Sequence, residues 1–259
     1  MPSITGVVIA FNEQEHIQQC VESLSQVCDE VIVVDSHSQD DTPALAQQAG
    51  AQVLDNDWLG DGPQRSYGAK RARNDWILSL DADERLEEDT VAFIKAQSLD
   101  DPSVAYSFRR RNLVGKRWIK AAGFYPDLVT RLYNRTHSDF NDKKTHANLI
   151  AARTINSNTH LRHFTYQGLN DWITRINTLS SEDALSMHAR GKTASRFSPG
   201  FHALNSLVRK LVFKGGFFQG LDGMNVAVTT AFHAYMKYLK LYEMGVKEKG
   251  EQSQWEGRR

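Results

Sequence analysis

The chain has 259 residues, 41% of them hydrophobic, and its 31 Lys and Arg balance 31 Asp and Glu. That length buries a full core, as one large domain or as a domain with an extension. A net charge of zero excludes the general basic field of a nucleic-acid binder, and no run of eighteen apolar residues is present to span a bilayer.

Ile4 to Phe11 is β-branched and nearly continuous, which predicts a strand buried on both faces and ending at Asn12 and Glu13. Ile17, Cys20, Val21 and Leu24 then share one side of a helix. Glu30 to Asp35 repeats the device, an apolar strand that finishes on a carboxylate. Ser36 to Thr42 is turn chemistry, and Pro43 suits the first turn of a helix reaching Gln48. Gly50 ends that helix, and Gln52 to Leu54 reads as a third strand. Asp61-Gly-Pro precedes a helix from Gln64 to Arg73, and Trp76 to Leu80 is a fourth strand that stops at Asp81, Asp83 and Glu84.

This β-α-β-α-β-α-β order with short connections predicts a parallel sheet with right-handed crossovers. Three of the four strands end on polar, ligand-type residues, which would project from one edge, where open α/β sheets bind ligands. Asp81-x-Asp83 supplies two hard oxygen donors for a divalent cation bridging diphosphate oxygens; taken alone, the motif reads first as a capped turn, and the matching ends of the other strands favour the cation. Neither Gly-x-Gly-x-x-Gly nor Gly-x-x-x-x-Gly-Lys-Ser/Thr occurs, so phosphate charge must be met by a cation and basic side chains.

Beyond the acidic turn, Leu86 to Gln97 predicts a helix, and Val104 to Phe108 and Leu128 to Tyr133 predict strands. Between them Arg109 to Trp118 is a basic, hairpin-like stretch. Gly123-Phe-Tyr-Pro-Asp127 is a turn whose aromatics suit either packing or a platform for a sugar ring. His160-x-x-His163 has a spacing that metal sites use, and His146 is either a general acid or base or a hydrogen-bonded surface histidine. Helices follow from Asp171 to Arg190, Phe201 to Phe213 and Val226 to Glu243, with Gly215, Gly216, Gly220 and Gly223 between the last two. Arg209, Lys210 and Lys214 lie among apolar residues there, a composition that suits anionic lipid as well as packing on the sheet domain or a second subunit. The expected organisation is an α/β domain over 1–166, a helical extension over 167–247 and a disordered tail over 248–259. Cys20 and Cys28 match no zinc or redox spacing and the chain opens directly on a strand, so a cytoplasmic setting is expected.

Ala10-Phe-Asn-Glu13, Val33 to Thr42, Trp76 to Glu84 and Tyr125-Pro-Asp-Leu-Val-Thr-Arg-Leu-Tyr133 resemble the family 2 glycosyltransferases of GT-A fold. Gly216-Phe-Phe-Gln-Gly-Leu-Asp-Gly223 looks like a segment of their bacterial lipopolysaccharide inner-core glucosyltransferase subgroup, with changes. The resemblance covers most of residues 3–245. It implies a Rossmann-like GT-A nucleotide-sugar-binding domain with a mostly parallel central sheet, followed by a helical C-terminal extension. It also implies inverting, metal-dependent transfer of a hexose from a nucleotide-sugar, UDP-glucose first, to a lipopolysaccharide core or related lipid-linked glycan.

Residue by residue, it implies that Phe11, Asn12, Glu13, Asp35 and Ser36 line the nucleoside pocket. Arg65, Asp81, Ala82 and Asp83 complete the donor site, with Asp81 on the ribose or the metal and Asp83 ligating Mg²⁺ or Mn²⁺. Many relatives carry an acid directly after a histidine further on, whereas here Ala147 follows His146. The base is therefore open among His146, Asp142 and Asp127. That departure keeps a non-catalytic nucleotide-sugar-binding protein as the alternative. A sugar-phosphate nucleotidyltransferase shares the layout but calls for a Gly-rich basic loop where Asn12-Glu13 stands. For the extension, the resemblance leaves peripheral contact with the cytoplasmic face of the inner membrane and a homodimer as expectations.

Overall fold

In the computed structural model, which describes residues 3–143 and 147–248, the apolar run Ile4–Ala10 (β1) lies inside a large mixed sheet. Glu30–Asp35 (β2) and Trp76–Asp81 (β4) flank it in parallel, and Gln52–Asp55 (β3) pairs parallel with β2. Helices Ile17–Leu24 (α1), Thr42–Gln48 (α2) and Asp61–Ala69 (α3) connect these strands, as parallel neighbours require. The strands are apolar on both faces because both are covered. Val8, Val33, Leu78 and Leu80 pack with Ile17, Cys20, Val21 and Leu24, while Val7, Ile32, Val34 and Ile77 join Ala69, Ala72 and Tyr133. Each such side chain, fully withdrawn from water, contributes about 1.5–3 kcal/mol.

Helix α3 starts at Asp61 and ends at Ala69, earlier at both ends than its sequence suggests. Pro63 fits its first turn, where no backbone N–H is required, and Asp61 closes that turn by accepting Arg65 Nε at 2.7 Å. The helix lies so close to the sheet that a Cβ at Gly68 would stand 2.6 Å from Val7 Cγ1 and 2.9 Å from Val34 Cγ2. Gly68→Ala is expected to cost about 1–3 kcal/mol through overpacking, read by urea unfolding, and Val7→Ala in the same chain should recover part of it.

The remaining elements of the sheet region are Glu84–Leu86 (β5), Glu88–Lys95 (α4), Val104–Val114 (β6), Arg117–Trp118 (β7), Asp127–Asn134 (β8), Asp139–Phe140 (β9), Leu149–Ile150 (β10) and Arg153–Tyr166 (β11). The sheet runs β3-β2-β1-β4-β8-β6-β11-β5, with β7 on the end of β6 and β9-β10 as a separate pair. Strands β4, β8 and β6 alternate in direction, as do β11 and β5. Leu86 therefore ends a strand, opposite Leu161, instead of opening a helix. The basic stretch from Arg109 is the second half of β6 before its turn at Gly115.

The chain divides into two compact units, Met1–Asn112 with Pro126–Thr165 and Leu113–Tyr125 with Tyr166–Arg259. In the second, helices Leu169–Ala189 (α5), Ser198–Val208 (α6) and Gly220–Glu248 (α7) surround a core of Ile119, Ala121, Ala122, Trp172, Ile176 and Val226. Lys240 Nζ on α7 donates to Asn177 O at 2.6 Å and Ser180 Oγ at 2.8 Å on α5. Gly220 and Gly223 belong to the start of α7, not to a linker. A Cβ at Gly223 would lie 2.0 Å from Gly216 O, so only glycine permits that backbone approach. Among the described residues no helix is long and apolar enough to cross a membrane. Residues 249–259 and His146 lie outside the described residues.

Candidate active site

The parallel register places Ala10 beside Asp35 and Ile9 beside Asp81, so the loops that follow β1, β2 and β4 leave the sheet at one edge. Asn12 takes φ +54°, a left-handed conformation that Asn tolerates better than most residues. Its N–H donates to Ser38 Oγ at 2.8 Å, and its Oδ1 accepts Gln39 N–H at 2.8 Å. Asp35, 1% exposed, accepts both the Ser38 N–H at 2.8 Å and the Ser38 hydroxyl at 2.5 Å. Glu13 N–H donates to Thr42 Oγ1 at 2.7 Å, and buried Gln64 donates to Ser36 Oγ at 3.0 Å. These bonds tie the first two loops to each other, with Phe11 exposed beside them.

At the acidic turn, Asp81 gives Oδ1 to Arg65 Nη2 and Oδ2 to Arg131 Nη2, the latter at 2.6 Å. Burial pushes its carboxyl up, but Arg131, Arg65 and Arg110 outweigh this and hold it well below the usual carboxylate range. Arg65 is buried and also spent on Asp61 and on Ser79 Oγ at 3.0 Å, so it reaches the site through Asp81. Ala82 is buried at the turn. Glu84, fully buried, accepts Arg131 Nη2 at 2.7 Å and the Asp81 N–H at 3.1 Å.

Asp83 faces a different partner. Its Oδ2 lies 3.3 Å from His163 Nε2. His163 Nδ1 is 2.6 Å from Asn112 Oδ1, an acceptor that assigns the ring proton to Nδ1 and leaves Nε2 towards Asp83. Burial lowers the proton affinity of His163, but the Asp83 carboxylate outweighs it and the net direction is upward. Asn112 Nδ2 in turn donates to Asp127 Oδ2 at 3.0 Å, which also receives Arg110 Nε at 2.9 Å and Nη2 at 2.8 Å. All three donors converge on Oδ2 and leave Oδ1 for a further donor.

His160 does not share this site. Three residues from His163 on a strand, it falls on the opposite face and pairs with Asp89 Oδ2 at 2.7 Å, so the His-x-x-His spacing forms no chelate. Asp142 is exposed on the turn after β9, and Ala147 N–H donates to Asp61 Oδ2 at 2.8 Å. Among the described residues no group of three or more His, Cys, Asp and Glu is arranged to hold an ion. Asp83 with His163 nevertheless offers one carboxylate and one correctly oriented imidazole nitrogen. That pair fits a divalent cation that takes its other ligands from phosphate and water oxygens.

Glu84 and Arg131 stood inside the motifs legible in the sequence, yet their contact with Asp81 was not. Asn112 had no local signal and His163 only its spacing from His160: the two are 51 residues apart, and only the adjacency of β6 and β11 joins them.

Residues 5–169 match the family model described as glycosyl transferase family 2. The chain is 30% identical to an uncharacterized glycosyltransferase of Rickettsia felis, over 100% of this chain and 98% of that protein. It is 26% identical to the lipopolysaccharide core biosynthesis glycosyltransferase LpsC of Rhizobium meliloti, over 93% and 92% of the two chains. Among solved structures, S. aureus TarS 1-349 in complex with UDP is similar at a TM-score of 0.46 and 15% identity, covering 96% of this chain and 92% of that one.

Proposed function

This chain belongs to glycosyl transferase family 2, and from that premise we propose that it moves a hexose from a UDP-sugar, UDP-glucose first, to a lipopolysaccharide core or related lipid-linked glycan, inverting the anomeric carbon. The likeness to LpsC supports the acceptor class. In this reading Asn12, Glu13, Asp35 and Ser36 hold the nucleoside, and the exposed ring of Phe11 offers it a stacking face. Asp81, oriented by Arg65 and Arg131, keeps a second lone pair on each oxygen for a ribose hydroxyl. Asp83 and His163 hold Mg²⁺ or Mn²⁺, which when bound would draw off the negative charge of the departing diphosphate. Asp81 supports that pair from behind; its two arginines leave it the poorer metal ligand.

Asp127 is the base. With Oδ2 fixed by Arg110 and Asn112, Oδ1 takes the proton of the acceptor hydroxyl as its oxygen bonds to the anomeric carbon and the bond to the diphosphate breaks on the opposite face. His146 and Asp142 are the alternatives. The observation that carries the reading is the contact chain Asp83–His163–Asn112–Asp127, which joins ligand pair and base in one network.

A thermal-shift panel of nucleotide-sugars with and without Mn²⁺, paired with a UDP-release assay, tests it. A UDP-hexose should raise the melting temperature only with metal, and EDTA should stop release. A response to another nucleotide class would overturn the donor assignment. Donor binding without transfer to any extracted glycolipid would favour a non-catalytic binder, the reading that Ala147 after His146 motivates. Asn112→Ala is expected to weaken Mn²⁺ binding about 10- to 100-fold by calorimetry, because His163 loses the acceptor that orients it.

A further inference from the structure

Between Asp183 and Asp222 the chain carries six Lys or Arg and no Asp or Glu, although its overall charge is zero. The same segment exposes its apolar side chains. Phe197, Phe201, Leu204, Val208 and Val212 follow one another at spacings of three and four, one face of α6 and the π-helical turn Arg209–Phe213 that continues it, and all five are exposed. Beyond that turn Phe213, Phe217 and Phe218 are 78%, 68% and 87% exposed.

The aromatic tip is built, not slack. Gly215 and Gly220 take φ +65° and +63° on either side of the short helix Gly216–Gln219. Gly216 itself is buried with its carbonyl against Gly223, which turns its neighbours Phe217 and Phe218 outward. Gln219 Oε1 accepts the Ala122 N–H at 2.6 Å, and Lys210 Nζ donates to Ala122 O at 2.8 Å, fastening both ends of the turn to one backbone position. Among the described residues Lys192, Arg196, Arg209, Lys210 and Lys214 have no acidic partner within 4 Å.

We infer that this surface, α6 and the aromatic turn before α7, docks on an anionic lipid bilayer, with the phenylalanines entering the headgroup boundary and the flanking cations meeting lipid charge. Apolar side chains ringed by unneutralised Lys and Arg are what interfacial binding requires. A second copy of this chain is the poorer occupant, because a two-fold interface would set the basic face against itself. The inference rests on exposure and charge and is independent of the donor site.

Co-sedimentation of the full-length protein with vesicles of phosphatidylcholine alone, and with phosphatidylglycerol mixed in, tests it. Partition onto the anionic vesicles should exceed that onto neutral ones at least about tenfold and fall as salt is raised. F213S/F217S/F218S should lower it about tenfold or more, with UDP binding and melting temperature unchanged. R196Q/R209Q/K214Q should remove the preference for anionic lipid. Equal or absent partition onto the two vesicle types, or wild-type partition by the triple phenylalanine variant, would overturn the inference. So would a dimer in sedimentation equilibrium that the phenylalanine variant dissolves while the wild type ignores vesicles.

Discussion

Asp83→Ala is expected to abolish metal-dependent UDP binding and to lower kcat about 10³-fold, a loss of about 4 kcal/mol in transition-state stabilisation. The size of the effect follows from the absence of a substitute. Asp81, two residues away, has one oxygen on Arg65 and the other on Arg131, so it cannot swing to replace the lost ligand without giving up its contacts to two buried guanidiniums. Glu84 is fully buried and committed to Arg131. The fold should tolerate the change: the Asp83 backbone carbonyl still accepts the Phe164 N–H at 3.0 Å, and His163 keeps Asn112. Calorimetry of UDP with and without Mn²⁺, beside steady-state UDP release, measures both parts. Full Mn²⁺-dependent UDP binding by the variant would remove Asp83 from the metal site.

The parallel half of the fold was legible because its physics is local. A β-branched run such as Ile4–Ala10 has to be buried on both faces, and residues that end parallel strands have to share an edge, so the sequence alone groups Asn12, Asp35 and Asp81. The antiparallel half was not legible in the same way. There a residue's role depends on which strand lies beside it, and β11 joins β6 and β5 across long loops. His163 looked like half of a His-x-x-His pair while its real neighbours, Asp83 and Asn112, came from two other strand ends. Asp127 could be named as a carboxylate in a turn, but the convergence of Arg110 and Asn112 on one of its oxygens is a fact of pairing between β6 and β8. Arg65, which the resemblance put in the donor site, is buried in α3 and held by Asp61, Ser79 and Asp81, a set of contacts that no local pattern announced.

Arg131→Met should lower stability by about 3–5 kcal/mol, the cost of breaking a buried ion pair from one side. For a chain of this size that is a fall in melting temperature of roughly 10 °C. Methionine fills similar space, so the loss reads charge more than packing: Arg131, 6% exposed, is the group that meets both Asp81 Oδ2 and the fully buried Glu84. Adding Glu84→Gln to the variant should recover part of the loss, because one of the two carboxylates that lost Arg131 is then neutral. Acid separates the two causes. Asp81 titrates below its unfolded value of about 3.9, so the stability it brings is fully present above that pH and is lost as the pH falls towards its folded value. Without Arg131 the carboxyl is depressed less, and the variant has less to lose on acidification. The gap between wild type and Arg131→Met, followed by urea unfolding, should therefore narrow below about pH 4. A gap that stays constant from neutral to acid pH would assign the loss to packing and take Arg131 out of the charge network that orients Asp81.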